Sequence, residues 1–170
     1  GMTPITYSLK QAVKYALEID GPCYIRVSRT NLKTVFDENN YKFNPKSAVR
    51  LTEGPDVTIV TNGETLIETI NAAKFLEKDG IRAEILHIPV IKPFFAQDDL
   101  IKSAQKTKKV VTVENHSIIG GVGSLVCETL SENYPVPVLR IGTNDCFGQS
   151  GEQRVLMEYY GLTAEKLYEK

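Results

Sequence analysis

The sequence has few of the residues that build disulfides and metal sites. It contains three cysteines, Cys23, Cys127 and Cys146, and two histidines, His87 and His116, among 170 residues. The odd number and wide spacing of the cysteines fit neither a disulfide framework nor a zinc ligand set. The two histidines fall in different predicted elements without a paired carboxylate spacing, which argues against a metal site. We therefore expect reduced thiols, a cytoplasmic location and no metal ligand in this chain.

An excess of charge of one sign and long apolar runs are also missing. The chain has 20 Lys and Arg residues against 21 Asp and Glu residues, whereas nucleic-acid-binding domains usually concentrate basic residues on one face. No apolar run reaches the roughly 18 residues of a spanning helix, and nothing near the N-terminus resembles a secretory signal. We expect no nucleic acid partner and no membrane association. Gly1 before Met2 is typical of tag cleavage, so we expect the natural or cloned reading frame to begin at Met2.

The composition and the hydrophobic periodicity are those of a folded protein. Hydrophobic residues make up 42% of the chain and charged residues 24%, as in ordinary globular domains. Apolar residues recur at helical spacing over residues 5–18, Gly21-Pro22 breaks that pattern, and the β-rich residues 23–27 predict a strand. Residues 31–48 are polar, rich in asparagine and without a clear period, which favours a linker over a long loop inside a domain.

Strand and helix patterns alternate through the rest of the chain. Strands are predicted over residues 56–60, 81–88, 109–113 and 136–141. Helices are predicted over residues 66–76, 98–106, 121–130 and 152–160, and from residue 163 onward. Helices between strands imply right-handed crossovers and a mostly parallel sheet that is covered on both faces. The expected fold is therefore a three-layer α/β/α domain.

A glycine-rich stretch, Gly120-Gly121-Val122-Gly123-Ser124, follows a predicted strand and opens a helix. Backbone N–H groups and the helix dipole can hold an anion at such a position. The third glycine of a dinucleotide fingerprint and the lysine of a P-loop are both missing. Two interpretations stay open: an anion site, or glycines that let the strand turn tightly into the helix and pack close to the sheet.

His116 precedes this stretch, in a predicted polar loop beside Glu114. The loop follows a strand end, where open parallel sheets place their ligands, and a histidine there can act as a general acid or an anion ligand. No complete catalytic constellation is present, so we name no catalytic and no cofactor-binding residue. The candidate anion-binding residues are His116, Gly121, Gly123 and Ser124.

Several other polar positions have structural interpretations. His87 lies in an apolar strand, which predicts a hydrogen-bonded structural histidine. Gly148-Gln149-Ser150-Gly151 is no nucleophile elbow, because Glu152 stands where the last glycine should be. Ser150 is therefore predicted to cap the following helix. Residues 61–64 predict a capping box for the helix over residues 66–76, and Gly80 is predicted to end that helix.

Four motifs follow one another along the chain. They are Gly21-Pro22-Cys23-Tyr24-Ile25-Arg26-Val27-Ser28-Arg29, residues 53–63, residues 111–124 with Glu114, His116 and the glycine-rich stretch, and residues 140–162 with Phe147-Gly148, Ser150-Gly151 and Tyr160-Gly161-Leu162. Together they resemble the C-terminal portion of transketolase, especially the form that prokaryotes split into N-terminal and C-terminal subunits. One departure is visible, because Ile91-Lys92-Pro93 is followed by Phe94-Phe95.

This resemblance implies a division of the chain and a fold. Residues 1–30 would be the last helix and strand of the pyrimidine-binding domain, residues 31–48 a linker, and residues 49–170 the transketolase C-terminal domain. That domain would have a five-stranded sheet, four strands parallel and one antiparallel, and would help to form a homodimer. Without its neighbours, the strand in residues 23–27 should expose a sticky edge that pairs with another chain or rests on the C-terminal domain.

The resemblance also implies what the chain would lack. Transketolase moves a two-carbon ketol unit between sugar phosphates, in the pentose phosphate pathway, with thiamine diphosphate and Mg²⁺ as cofactors. The family holds these cofactors through a Gly-Asp-Gly motif and through the body of the pyrimidine domain, and no Gly-Asp-Gly occurs here. We therefore expect a structural and dimer-forming part that binds no cofactor, is inactive alone and needs an N-terminal subunit. The alternatives are a small anion-binding regulatory module that uses residues 120–124, or the C-terminal domain of the β chain of a 2-oxoacid dehydrogenase.

Overall fold

The computed structural model describes residues 4–28, 35–36 and 41–170. The chain divides into two units, residues 1–44 and residues 45–170. Arg29, which ends the first motif, and part of the predicted linker lie outside the described residues. The division of the chain at residues 30 and 48 stays a prediction.

The first unit contains one helix, α1 (Pro4–Glu18), among its described residues. It confirms the helix predicted over residues 5–18. Gln11 links α1 to the segment over residues 41–43, because its side chain donates to the Tyr41 carbonyl at 3.4 Å and accepts from the Phe43 N–H. The rings of Tyr15 and Phe43 pack with centroids 5.8 Å apart.

The strand predicted over residues 23–27 is wrong. Residues 22–28 form no strand, and the Tyr24 side chain is 89% exposed. A strand is stabilised by hydrogen bonds to a neighbouring strand, and the described residues of this unit include no such neighbour. These residues therefore have a strand-forming composition but no neighbouring strand to pair with among the described residues of this unit.

The second unit alternates strands and helices. In chain order its elements are β1 (Val49–Thr52), β2 (Val57–Thr61), a 3₁₀ turn (Gly63–Thr65), α2 (Leu66–Lys78), β3 (Ala83–His87), α3 (Gln97–Thr107), β4 (Val110–Ser117), α4 (Val122–Asn133), β5 (Val138–Thr143), α5 (Gln153–Tyr159) and α6 (Ala164–Tyr168). Each strand and helix predicted for this part of the chain is confirmed. The sequence pattern does not predict β1, because this strand is only four residues long and alternates half-buried with exposed side chains.

The five strands form one sheet in the order β1-β3-β2-β4-β5. The neighbours from β3 to β5 are parallel, and β1 pairs antiparallel with β3 so that Val49 lies opposite His87. Helices cover both faces, which confirms the three-layer α/β/α fold with four parallel strands and one antiparallel strand. None of the helices in the described residues is both long and apolar enough to cross a membrane.

Two apolar clusters hold the layers together. Alternate residues of β2 point into opposite clusters, Val60 on one face of the sheet and Ile59 on the other. On the Val60 face, α3 and α4 contribute side chains that include Leu100 and Val126. The Ile59 face is covered by side chains from α2 and from the two C-terminal helices, which are Ile70, Ala73, Leu76, Met157 and Leu167.

The helix ends differ in part from the local sequence signals. Gly80 follows α2 at a φ of +80°, which confirms its role at the end of that helix. The capping box over residues 61–64 is wrong, because the Thr61 hydroxyl contacts that of Thr65 and the Glu64 carboxylate accepts from the distant Asn115 and Gln153 side chains. Ser150 is not the cap of α5; Glu152 is, with its side chain accepting from the Arg154 N–H.

Candidate functional site

The candidate site lies at the carboxyl ends of β2 and β4, which are neighbours in the sheet. From β2 the chain runs through α2 to β3 on one side, and from β4 it runs through α4 to β5 on the other. A point where connections leave in opposite directions is the usual ligand crevice of an open parallel sheet. The residues that follow β2 and those that end β4 therefore face the place where a ligand is expected.

β4 extends further than the sequence pattern predicts. It continues past Val113 to Ser117, so Glu114 and His116 belong to the strand. The prediction of a polar loop around His116 is wrong. The pairing of Ser117 with Thr143 of β5 explains the extension, after an irregularity between Val113 and Ser117.

Glu114 is the central side chain of the glycine-rich turn. Its side chain is only 2% exposed. One carboxylate oxygen, Oε2, accepts from the Val122 N–H and the other, Oε1, accepts from the Gly123 N–H, both at 2.8 Å. These N–H groups are at the start of α4, where the helix has donors without an intrahelical partner and a partial positive charge.

Two glycines leave the space that this carboxylate occupies. A Cβ on Gly121 would lie 2.0 Å from Oε2 of Glu114, and a Cβ on Gly123 would lie 3.0 Å from Oε1. Gly120 has a φ of +76° and therefore needs the backbone freedom of glycine, whereas Gly121 and Gly123 do not have a positive φ. The glycine-rich stretch is therefore required for the close approach of the Glu114 side chain to the α4 backbone.

Ser124 closes the same turn from the other side. Its hydroxyl accepts from the Gly120 N–H at 2.8 Å and donates to the Ile118 carbonyl at 3.2 Å. Arg140 on β5 also donates to the Ile118 carbonyl, at 2.8 Å. His116 is exposed, and its Nδ1 lies 2.8 Å from the Ser117 carbonyl oxygen.

The structure brings Gly121 and Gly123 together around Glu114, a residue that the sequence pattern places beside the site without assigning it a role there. Ser124 makes hydrogen bonds with the backbone of the turn, whereas the contact of His116 is with the carbonyl of Ser117, the last residue of β4. The binding of an external anion by these four residues stays a prediction. Such an anion would have to compete with Glu114 for the amides of Val122 and Gly123.

A second polar group at this edge has no signal in the sequence. The Glu64 carboxylate, just after β2, accepts from the Asn115 side chain at 2.6 Å and from the Gln153 side chain at 3.1 Å. The local spacing of Glu64 predicts a capping box instead. Gln153 is 89 residues away in sequence, and no local pattern indicates such a contact.

His87 ends β3, the other strand beside β2. Burial lowers the pKa of His87 from its usual 6.5 to about 4, and a hydrogen bond with the Thr61 backbone offsets part of this effect. The imidazole is therefore neutral at pH 7. This confirms the prediction of a hydrogen-bonded structural histidine.

Metal and thiol chemistry receives little support from the described residues. In residues 4–28, 35–36 and 41–170, no group of three or more His, Cys, Asp and Glu side chains comes together that could hold a metal ion. All three cysteines are free, with Cys23 and Cys146 exposed and Cys127 half-buried.

The fold and the glycine-rich turn agree with a known family. The transketolase C-terminal domain family matches residues 46–167. The chain belongs to this family. The match therefore covers the second unit except for residue 45 and residues 168–170.

Relatives of this chain include proteins that are named as transketolase subunits. The chain is 43% identical over 159 residues to the 6-deoxy-6-sulfo-D-fructose transketolase subunit SqwH of Clostridium sp. (strain MSTE9), covering 94% of this chain and 49% of the relative. It is 36% identical to a subunit of the apulose-4-phosphate transketolase of Phocaeicola vulgatus, covering 92% and 49% respectively. The chain spans about half the length of these curated relatives.

Solved structures give the same result. A protein described as a split gene transketolase, inactive beta4 tetramer, superposes with a TM-score of 0.88 at 44% identity, covering 94% of this chain and 52% of that chain. The transketolase of Campylobacter jejuni superposes with a TM-score of 0.59 at 22% identity, which shows a shared fold alone.

The family implies a Mg²⁺ ion and a cofactor with a diphosphate. Mg²⁺ in such sites is usually held by one or two carboxylates together with phosphate oxygens. The described residues provide no cluster of metal ligands, and the α4 amides that could hold a phosphate already bind Glu114. No chemical step is assigned to these residues.

Proposed function

We propose that this chain supplies the C-terminal domain of a split transketolase, an enzyme that moves a two-carbon ketol unit between sugars. The observation that carries the proposal is the superposition on a split gene transketolase over 94% of the chain at 44% identity. The match of the family to residues 46–167 supports it. In this proposal the chain contributes structure and contacts between subunits, and an N-terminal subunit is its partner.

The catalytic cofactors are proposed to bind outside this chain. Thiamine diphosphate with Mg²⁺ would carry the carbanion chemistry of the ketol transfer, while the protein orients the substrates and supplies charge. The share of the relatives that the chain leaves uncovered, about half of their length, provides room for a further domain.

The proposed substrate class is a sugar that carries an anionic group. Relatives of this chain are named for 6-deoxy-6-sulfo-D-fructose, for apulose-4-phosphate and for 1-deoxy-D-xylulose-5-phosphate. These three compounds differ in the sugar but share a sulfonate or phosphate group. We also propose that the complete enzyme is a cytoplasmic homodimer of such two-subunit units.

Calorimetry with thiamine diphosphate and Mg²⁺ provides the first test. The chain alone is expected to give no binding heat. A chimera, in which this chain replaces the matching part of the 43% identical subunit, is expected to bind the cofactor when mixed with the N-terminal subunit of that enzyme. Ketol transfer from a ketose donor to an aldose phosphate acceptor should appear in the same mixture.

Two results would contradict the proposal. Binding heat from the chain alone would show that it holds the cofactor itself. A chimera that folds and assembles with its N-terminal partner, and yet transfers no ketol unit, would show that this domain cannot serve a transketolase. The unmodified subunit with the same N-terminal partner is the matched control.

The anion-binding alternative gains no supporting observation. Its two central amides, those of Val122 and Gly123, donate to Glu114. A regulatory anion would need to displace the buried Glu114 carboxylate, which is covalently part of the chain and already lies within hydrogen-bond distance of both amides. We therefore retain the transketolase function as the proposal.

A further inference from the structure

The start of α4 holds a carboxylate in a specific way. Glu114 uses both of its oxygens, one for the Val122 N–H and one for the Gly123 N–H, at equal distances of 2.8 Å. α4 is 12 residues long, so its N-terminus carries a well-developed partial positive charge. Charge-assisted hydrogen bonds of this kind are stronger than those between neutral groups.

The surrounding backbone is shaped to this carboxylate. A Cβ at Gly121 would lie 2.0 Å from Oε2 and 2.7 Å from the carboxyl carbon of Glu114. Any side chain at that position would therefore take the place of the carboxylate. Gly121 has a φ of −97°, a conformation that alanine adopts without strain. Larger residues are therefore excluded by the lack of space beside Glu114 and not by the backbone conformation.

A third polar group faces the same position. The Thr112 hydroxyl is fully buried and makes no hydrogen bond within the described part of the chain. It lies 2.8 Å from the point where a Cβ of Gly123 would stand, and Oε1 of Glu114 lies 3.0 Å from that point. A buried hydroxyl without a partner is costly, and this one lies at the start of α4 without a hydrogen-bond partner among the described residues.

We propose that the start of α4 is a carboxylate-binding site whose resident ligand is the Glu114 side chain. A free carboxylate of matching size takes this site when the Glu114 side chain is shortened. The wild-type chain binds no free anion at this turn, because its own carboxylate is present at a far higher effective concentration. This inference concerns the domain alone and does not depend on the proposed ketol transfer.

Acetate is the matching probe. Glu114→Ala removes one methylene carbon and the carboxylate, and acetate supplies one carbon and one carboxylate. The freed Val122 and Gly123 amides can donate to acetate as they donate to Glu114. The double variant Glu114→Ala, Gly121→Ala is the control, because the new methyl group would fill the position of Oε2.

Thermal unfolding of the wild type, the single and double variants and Glu114→Gln is measured by circular dichroism, with sodium acetate replacing sodium chloride at constant ionic strength. For Glu114→Ala, acetate is expected to raise Tm by about 2–4 °C with a saturable dependence on concentration. The wild type and the double variant are expected to respond no more to acetate than to chloride. Glu114→Gln, which keeps the space filled, should behave like them.

If Glu114→Ala folds in chloride, two outcomes would overturn the proposal. One is an equal response of all variants to acetate, which would show a general salt effect. The other is a double variant that responds as strongly as Glu114→Ala, which would place the acetate elsewhere. If Glu114→Ala is unfolded in chloride, the expected result is recovery of its helical signal in acetate, and a failure to recover while Glu114→Gln folds would equally overturn it.

Discussion

Residues 23–27 and strand β2 have similar strand-forming compositions, yet only β2 is a strand. Each stretch includes isoleucine and valine, which favour pleated structure. β2 lies between β3 and β4 and pairs with both in parallel register. Residues 23–27 form no strand, and their side chains are exposed. The comparison shows that β propensity reflects a fit to neighbours more than a preference of the isolated backbone.

Enclosure on both sides also changes the chemistry of polar groups in the sheet. Thr58 of β2 is fully buried, and its hydroxyl lies 2.6 Å from that of Ser103 and 2.7 Å from that of Thr107 on α3. Such hydrogen bonds inside a dry interior make each polar group depend on its partner. The exposed residues 23–27 have water as an alternative partner, so matched substitutions should separate the two regions.

The largest difference is expected from matched isoleucine truncations. Ile59→Ala in β2 removes a side chain that is 5% exposed and packed in the Ile59-face cluster. It should lower the free energy of unfolding of the second unit by about 2–5 kcal/mol. Ile25→Ala should change it by less than about 0.5 kcal/mol. Urea unfolding followed by circular dichroism measures both, and equal losses would break the comparison.

The two histidines provide a pH-dependent version of the same test. Because the pKa of His87 is lowered from 6.5 to about 4 in the folded state, the unfolded chain binds a proton first as the pH falls. The free energy of unfolding should therefore decrease between about pH 6.5 and pH 4, by up to about 3 kcal/mol from this group.

Matched variants assign that pH dependence. His87→Gln should make the stability profile flatter between pH 6.5 and pH 4, whereas His116→Gln, which alters an exposed residue, should leave it unchanged. Denaturant unfolding at several pH values measures the profiles. If the free energy of unfolding of His87→Gln falls with pH as steeply as that of the wild type, the burial of His87 does not cause the loss of stability.

A smaller effect is expected at the edge of the sheet. The Glu84 side chain of β3 is fully buried and pairs with Lys106 of α3 and with Arg50 of β1, whose Nε lies 3.4 Å from Oε1. Lys106→Ala leaves this buried carboxylate with Arg50 alone and should cost about 1–3 kcal/mol of unfolding free energy. Lys102→Ala, an exposed position on the same helix, should cost less than about 0.5 kcal/mol. Similar losses for both lysines would contradict a special role for the Glu84 pair.

The smallest energetic effect is expected in residues 23–27 themselves. Val27→Ala should change the free energy of unfolding by less than about 0.5 kcal/mol. Hydrogen exchange followed by mass spectrometry should show little protection of amides 23–27 and strong protection of the β2 amides, because only the latter belong to a sheet. Inclusion of this chain in the longer chimera should slow exchange in residues 23–27 if the added part provides a neighbouring strand. Strong protection in the chain alone would remove the distinction.

Local patterns predict the elements of the second unit but misassign several contacts. The periods of the apolar residues identify four strands and their helices. The predicted capping box and the Ser150 cap are both wrong, because Glu64 has partners in β4 and α5 and because Glu152 lies closer to the start of α5. Short polar motifs have several satisfactory partners, and the choice among them depends on residues that are distant in sequence.

The location of the candidate site is more predictable than its chemistry. The position of Glu114 and His116 at the end of a strand, before a glycine-rich helix start, follows from the sequence. The sequence does not show that Glu114 itself binds the start of α4. Its carboxylate is eight or nine residues before the amides that it contacts, so the contact depends on the angle between β4 and α4. The same limit applies to β1, whose antiparallel pairing with β3 joins segments that are distant in sequence.

The sequence by itself determined the alternation of strands and helices and the faces that are buried, because these depend on periodic side-chain chemistry along the chain. The resemblance to the family of the second unit came instead from four ordered motifs. The tertiary structure decided which strand-forming segment becomes a strand and which polar groups bind one another. Those outcomes depend on neighbours brought together by folding, since a strand needs a partner for its backbone and a buried carboxylate needs donors at a fixed distance.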